Sequence, residues 1–282
     1  MSGNYKTIFR GLQWDFCYYK EFPWKEIYID CDSIIFGYML EYLQYNLVIS
    51  YETAGANIFS TRRMVDTIIY DISMYSHDKL TSLVRKMENH MKCVMVFGEN
   101  NIEMKQEQIN KYIKSSEDAY KELRSNRKIS YINLDRLRES LHKYIKSQRD
   151  TIRNIIRSAT NEDYMVSEEP DIYCPKHCIV SFSIDYDLFL FGAKYIIRGI
   201  DGDMIKFISR DSLLKRLGLY NIRQLVIAAV LCGTDYNRGI RGMDPKKSIN
   251  IAINNPDCNI IDSKVVDFFI NIIKDSRDND SW

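Results

Sequence analysis

Short apolar runs rich in aromatic and β-branched residues alternate with longer stretches of helical period along this chain. Trp24 to Ile29 predicts a strand ending at Asp30, followed by an apolar helix from about Ile34 to Tyr45. Helical patterns then run from about Thr61 to Tyr75 and from His77 to His90, and Cys93 to Phe97 predicts a second strand. Residues 102–158 are charged and poor in glycine and proline. Within them Ile132, Leu134, Leu137, Leu141, Tyr144, Ile145, Ile152, Ile155 and Ile156 mark a long amphipathic helix. Arg149, Arg153 and other bases occupy its remaining faces, as a solvated surface or as a clamp for phosphates. Cys178 to Phe182 predicts a buried strand, and Cys174 to Cys178 a turn leading into it. A structural zinc site would need four ligands, and no partner cluster accompanies Cys174, His177 and Cys178.

Composition sets limits. With 282 residues, 45% of them hydrophobic, the chain is large enough for one full domain or two closely integrated halves. A net charge of +1, from 39 Lys plus Arg against 38 Asp plus Glu, excludes a nonspecific polycation. Any nucleic-acid surface must therefore come from local clustering of bases. The seven cysteines are scattered through apolar contexts and suggest a reducing compartment. No signal peptide and no run of membrane-spanning length is evident, so a soluble protein is expected.

Two places carry candidate chemistry. In Ile184-Asp185-Tyr186-Asp187 the acids follow a strand, where residues two apart point the same way. Carboxylates held that close repel unless a cation lies between them, so the pair suits a hard metal ion. Asp30 stands at the same kind of strand terminus, and Asp32 suits a helix N-cap. The second place runs from Leu231 to Ser248: Asp235 leads into a turn bounded by Gly239 and Gly242. Pro245 is placed to open a helix, with Lys246 and Lys247 in its first turn, which can hold a nucleic-acid phosphate.

The order of these motifs, Asp-Tyr-Asp-Leu-Phe-Leu-Phe-Gly and then Gly-Thr-Asp-Tyr followed by Gly-Ile-Arg-Gly-Met-Asp-Pro-Lys-Lys, resembles the flap endonuclease-like 5′ nuclease family. Asp244 stands where that family usually has glycine. The resemblance implies one PIN-like α/β domain over residues 1–282, a mostly parallel central sheet with helices on both faces. Its parts would be an N-terminal nuclease region at 1–101, a helical arch or clamp at 102–158, and an internal nuclease region at 159–282 with a helix-three-turn-helix at about 231–255. Asp30, Glu162, Asp185, Asp187 and Asp235 would bind two Mg²⁺ or Mn²⁺ ions. Lys105 would contact the scissile phosphate and Lys111 would steer a single strand. Phe36, with Tyr38 as alternate, would stack on a base, and Gly239, Gly242, Lys246 and Lys247 would hold duplex backbone.

The chain departs from the family pattern after the Cys93–Phe97 strand, where Phe-Asp-Gly is usual and Phe97-Gly98-Glu99 stands here. Successive strand residues face opposite ways, so Glu99 reaches a metal only if the chain bends at Gly98. At Glu162-Asp163 the acids are adjacent and cannot share a helix face. Asp163 is thus a weak second ligand, and Glu168, Glu169 and Asp171 are the alternatives. The implied substrate is branched DNA with a 5′ flap, cut near the junction, in DNA replication, repair or recombination, with replication proteins as further partners. The Ile-, Asn-, Lys- and Tyr-rich composition is similar to that of poxvirus members, which implies host cytoplasm if viral and nucleus if cellular. A junction resolvase, a 5′ exonuclease and a catalytically weakened DNA-binding scaffold are the alternative readings.

Overall fold

In a computed structural model the described residues are 5–9, 12–54, 58–99, 144–145, 148–161, 163–167, 169–255 and 263–275. They fall into two compact units. The first comprises Met1–Cys31, Met87–Met104 and Tyr164–Trp282, the second Asp32–Lys86 and Lys105–Asp163.

The first unit is built on a seven-stranded sheet. Its strands are β1 (Asp15–Tyr18), β2 (Glu26–Asp30), β3 (Lys92–Gly98), β4 (Tyr164–Ser167), β5 (Val180–Phe182), β6 (Tyr195–Asp201) and β7 (Met204–Ser209), in the order β1-β7-β6-β5-β2-β3-β4. β6, β5, β2, β3 and β4 run parallel, and only β1 and β7 join antiparallel, at one edge. This is the mostly parallel α/β sheet the resemblance implied. Its central strands are apolar enough to be covered on both sides, as in Ile27, Ile29, Val96, Val180 and Ile197, all buried. A strand ending near Arg198 is expected from the sequence and is β6, which runs on to Asp201, whereas β7 and β1 were not foreseen. Their short amphipathic runs lie between turns whose glycine, Gly202, takes a positive φ.

Helices complete the fold. α1 (Cys31–Ala54), α2 (Ile58–Glu88) and α3 (Arg149–Ala159) belong to the second unit apart from the terminal residues Cys31, Met87 and Glu88. α4 (Pro170–His177), α5 (Arg210–Leu217), α6 (Ile222–Cys232), α7 (Pro245–Asn254) and α8 (Ser263–Asp275) belong to the first unit. α6 is buried at every residue except the half-buried Arg223, and Phe191, Phe269 and Ile270 pack in the same core. Among the described residues no helix is long and apolar enough to cross a membrane.

Three local expectations are corrected. The Thr61–Tyr75 and His77–His90 patterns are one helix, α2, because nothing at Ser76 breaks the hydrogen-bond ladder. Cys174 to Cys178 is no turn but the end of α4, and Pro175 sits inside that short helix, which stops two residues later. Asp32 does not cap α1. It lies within the first turn, 4% exposed, and pairs with Arg153 Nε at 3.1 Å and Arg149 Nη2 at 3.5 Å. Arg153 is itself buried and also bonds Asp150 at 2.9 Å, so this base ties α3 to α1 rather than facing a phosphate. Lys105, Lys111, Glu162, Glu168 and most of the 102–158 segment lie outside the described residues.

Candidate active site and glycine turn

The acids gather where parallel strands end. β2 and β5 run side by side with Ile29 opposite Phe182, so the next residues, Asp30 and Ser183, adjoin. Ser183 Oγ donates to Asp30 Oδ2 at 2.8 Å and accepts the Asp185 N–H at 3.0 Å. Asp185 Oδ1 in turn accepts the Asp187 N–H at 3.3 Å. The two aspartates are therefore not strand neighbours, as the sequence spacing suggested. β5 stops at Phe182 and Asp187 opens a 3₁₀ helix, Asp187–Phe191, so an Asx-type turn brings the carboxylates together.

A short N-terminal 3₁₀ helix, Tyr5–Phe9, closes over this pair. Lys6 Nζ lies 2.6 Å from Asp185 Oδ2 and 3.6 Å from Asp187 Oδ2, and the Tyr5 hydroxyl donates to Asp187 Oδ2. The Tyr5 N–H donates to Gly233 O at 3.3 Å, tying the same helix to the start of the glycine turn. Asp187 is 6% exposed, and its Oδ1 is buried without a hydrogen-bond partner. Burial, and after it the charge of Asp235, pushes the Asp187 carboxyl well above the usual carboxylate range. Burial alone would lower the Lys6 ammonium. Asp185 outweighs it through charge and hydrogen bond, with Asp235 and Asp171 behind, and holds Lys6 above its ordinary value.

A partnerless buried oxygen on Asp187, beside Asp185 and within range of the Asp235 charge, fits a hard cation that takes oxygen ligands. Lys6 supplies the compensating charge in this arrangement. Among the described residues, no three His, Cys, Asp or Glu side chains converge closely enough to hold a metal together. The fit is thus to the Asp185–Asp187 pair. Of the alternatives for a further acid, Glu169 is buried at the start of α4, and Asp171, in the first turn of α4, is near enough to act on Lys6. Asp163 is exposed. Gly98 keeps its place in β3 opposite Ser167, and the Glu99 N–H continues the ladder to Ser167 O at 2.9 Å. No left-handed bend occurs at Gly98, and Glu99 is exposed. Phe36 and Tyr38 are half-buried on α1.

The glycine turn is built for close backbone approach. Gly233 ends α6 at φ +94°, and a Cβ on Gly239, at φ +64°, would meet Gly233 N at 2.4 Å. Asn237 holds the loop between them: its Oδ1 accepts the Thr234 N–H at 2.9 Å and its amide donates to Val230 O at 2.8 Å. Pro245 is the first residue of α7 and Asp244 its N-cap, accepting the Lys247 N–H at 2.9 Å. The Lys247 N–H, chiefly, and the Lys247 ammonium at 3.3 Å hold the Asp244 carboxyl below its ordinary range. Lys246 and Lys247 are exposed, and Ser248 is buried, where its Oγ accepts from Cys232 Sγ at 3.1 Å.

Ser183, Tyr5 and Lys6 were missed from sequence. Only Ser183 left a signal, as the residue after a strand that pairs with the strand of Asp30.

An acid-lined edge of a parallel sheet beside a lysine-bearing helical turn defines the class to compare. No protein-family model matches the chain. Over 78 residues it is 37% identical to Single-strand DNA endonuclease 1 of Arabidopsis thaliana, covering 27% of this chain and 13% of that protein. Over 74 residues it is 45% identical to Flap endonuclease 1 of Haloquadratum walsbyi, covering 26% and 22%. Over 89 residues it is 35% identical to Flap endonuclease 1 of Pyrobaculum islandicum, covering 27% and 26%. The chain thus matches only about a quarter or less of the length of these relatives. Flap endonuclease-1 from Methanococcus jannaschii matches with a TM-score of 0.49 at 17% identity, covering 94% of this chain and 81% of that one. The matched stretches relate the chain to flap endonuclease-type nucleases.

Proposed function

We propose that the protein is a structure-specific DNA nuclease that hydrolyses phosphodiester bonds in branched or 5′-flap DNA with Mg²⁺ or Mn²⁺, in replication, repair or recombination. The observation that carries this reading is the hydrogen-bonded run Asp30–Ser183–Asp185–Asp187 at the C-terminal ends of β2 and β5, with Asp235 near enough to raise the Asp187 carboxyl. The shared stretches with flap endonucleases support it. When bound, a divalent cation would lower the pKa of a water and offset charge on the attacked phosphate. Asp187 would hold it through its partnerless Oδ1, and Asp185 through the Oδ2 that Lys6 now engages. Asp30 would orient Asp185 through Ser183 rather than act alone. Gly239 and Gly242 would let a duplex backbone approach, with Lys246 and Lys247 offering charge to its phosphates. Lys105, Lys111 and Glu162 belong to this proposal on sequence grounds. A viral source and a cytoplasmic site of action are supported by composition and family resemblance.

A labelled 5′-flap duplex incubated with Mg²⁺ or Mn²⁺ should be cut near the junction, and chelation should stop the reaction. A second reading, a DNA-binding scaffold with weakened catalysis, is favoured by Gly98 at the usual aspartate position and by the outward Glu99. Binding of the flap without cleavage under either metal would favour the scaffold.

A further inference from the structure

The antiparallel edge of the sheet carries aromatic and basic side chains that the acid run does not use. Among the described residues β1 is the edge strand, with β7 as its one neighbour, and Phe16 and Tyr18 on it are 55% and 54% exposed. They alternate along the strand and so share a face, about 7 Å apart. Lys206 of β7 is the cross-strand partner of Phe16, so its side chain leaves the sheet on that face too. Its ammonium lies 5.5 Å from the centre of the Trp14 ring.

This strip is joined physically to the acids. Trp14 stacks on Tyr186 at 5.5 Å, and Tyr186 is the residue between Asp185 and Asp187. The Arg198 guanidinium lies 5.1 Å from the Tyr186 ring and 5.5 Å from the Trp14 ring, and it donates to Ile184 O. The strand is also fixed in place. Arg216 pairs with Asp15 at 2.6 Å and bonds Gln13 O, and the Tyr19 N–H donates to Asp203 O at 3.0 Å.

Two large exposed rings on a pinned strand, close to cations whose charged heads lie over aromatic faces, are suited to unpaired bases with phosphates alongside. A duplex hides its base faces, and a purely apolar partner would leave Arg198 and Lys206 without anions. We propose that Phe16 and Tyr18 are base-stacking residues for single-stranded nucleic acid, and that Lys206 and Arg198 hold its backbone as it passes over Trp14 toward Asp185 and Asp187. The class of ligand rests on the nuclease reading; the strip itself rests on the geometry of β1, β6 and β7.

The test measures binding, not cutting, of a labelled short oligothymidylate by the full chain in a chelator, beside the matching abasic strand and a blunt duplex. Wild type should prefer the thymidylate to the abasic strand by roughly tenfold or more, and F16A/Y18A should abolish that preference without altering the salt slope. Lys206→Ala should flatten the slope by about 0.7 for one lost single-strand phosphate. F16W/Y18W, which restores flat rings, should bind as wild type does. Both aromatics are exposed, so an unchanged melting temperature will show that the alanine variant is folded. Unchanged thymidylate affinity in F16A/Y18A overturns the proposal, as does an equal loss on the abasic strand or the duplex. Loss confined to thymidylate supports the strip even if the protein cuts no flap, which would sink the nuclease reading alone.

Discussion

Asp187 and Asp244 are aspartates of the same unit in opposite electrostatic settings. Asp187 is buried, faces the charge of Asp235, and has its carboxyl pushed up. Asp244 stands at the N-terminus of α7, accepts a backbone N–H, pairs with Lys247, and is held down. Burial and like charge keep one poised to take a cation, and aligned N–H groups keep the other satisfied as a local anion. The acid site is thus incomplete by itself, while the lysine turn already contains its own negative charge. Each half of that contrast can be broken by substitution.

The largest expected effect falls on the backbone that brings the two regions together. Gly239→Ala places a Cβ 2.4 Å from Gly233 N at a φ of +64°, and the three nearest atoms, on Gly233 and Cys232, are all backbone and cannot swing away. Left-handed strain plus a backbone clash should cost about 3 kcal/mol of unfolding free energy. Gly242→Ala has the strain, at φ +80°, without any atom within 4 Å, and should cost about 1 kcal/mol. Urea unfolding of the two variants measures the difference, and equal losses would mean that the close approach is not rigid.

Next comes Asp187 itself. Asp187→Asn keeps the shape but removes the charge, so flap cleavage should fall by at least about hundredfold, given that even residues behind a metal's ligands cost ten- to hundredfold. Mg²⁺ should also stabilise wild type more than the variant against heat. The pH dependence has a definite sign. Because the folded carboxyl is raised, its contribution to stability is fully present below its unfolded value of about 3.9 and is lost as pH rises toward the folded value. Without metal, the melting temperature of wild type relative to Asp187→Asn should therefore decline as pH increases above about 4. A flat or rising difference would show that Lys6 and Tyr5 already keep this carboxylate charged.

The end of β3 bears on the same edge more weakly. Gly98→Asp should add a carboxylate two residues beyond Val96, the cross-strand partner of Asp30, and raise cleavage at limiting Mg²⁺ by several-fold, about tenfold at most, since an added oxygen ligand tightens a hard-cation site. Glu99→Gln should change little, because Glu99 is exposed and the ladder runs straight through Gly98. The opposite pattern in steady-state cleavage would assign the ligand to Glu99.

Legibility in the sequence followed the range of the interactions. The glycine turn was readable because Gly239, Gly242 and Pro245 act on residues a few positions away, whereas Asp244 stood out only as a departure from the family's glycine and its cap on α7 was not foreseen. The strand that ends at Asp30 and the one that stops at Phe182, three residues before Asp185, were readable from local apolar runs. Tyr5 and Lys6 were not, since they meet acids 182 and 179 positions further on, and only the folded sheet joins them. Asp32 misled for the same reason: a capping role is local, whereas its partner Arg149 is 117 residues distant. β1 escaped notice because four residues with two rings facing outward lack the buried alternation that marks a strand.

The smallest effect should come from Asp244, and it tests whether the satisfied half of the comparison limits DNA binding. Its carboxylate occupies the anion position at the start of α7 and draws Lys247 toward itself. Asp244→Gly keeps a residue that tolerates the N-cap backbone, removes the competing charge, and frees both the Lys247 N–H and its ammonium for a phosphate. Affinity for duplex DNA, measured in a chelator, should rise by a few-fold, and the salt slope should steepen by up to about 0.9, the value of one added phosphate contact. The double variant K246A/K247A should move both quantities the other way, flattening the slope by up to about two contacts. If Asp244→Gly weakens binding, or if neither variant moves the slope, the turn serves the fold and not the phosphate.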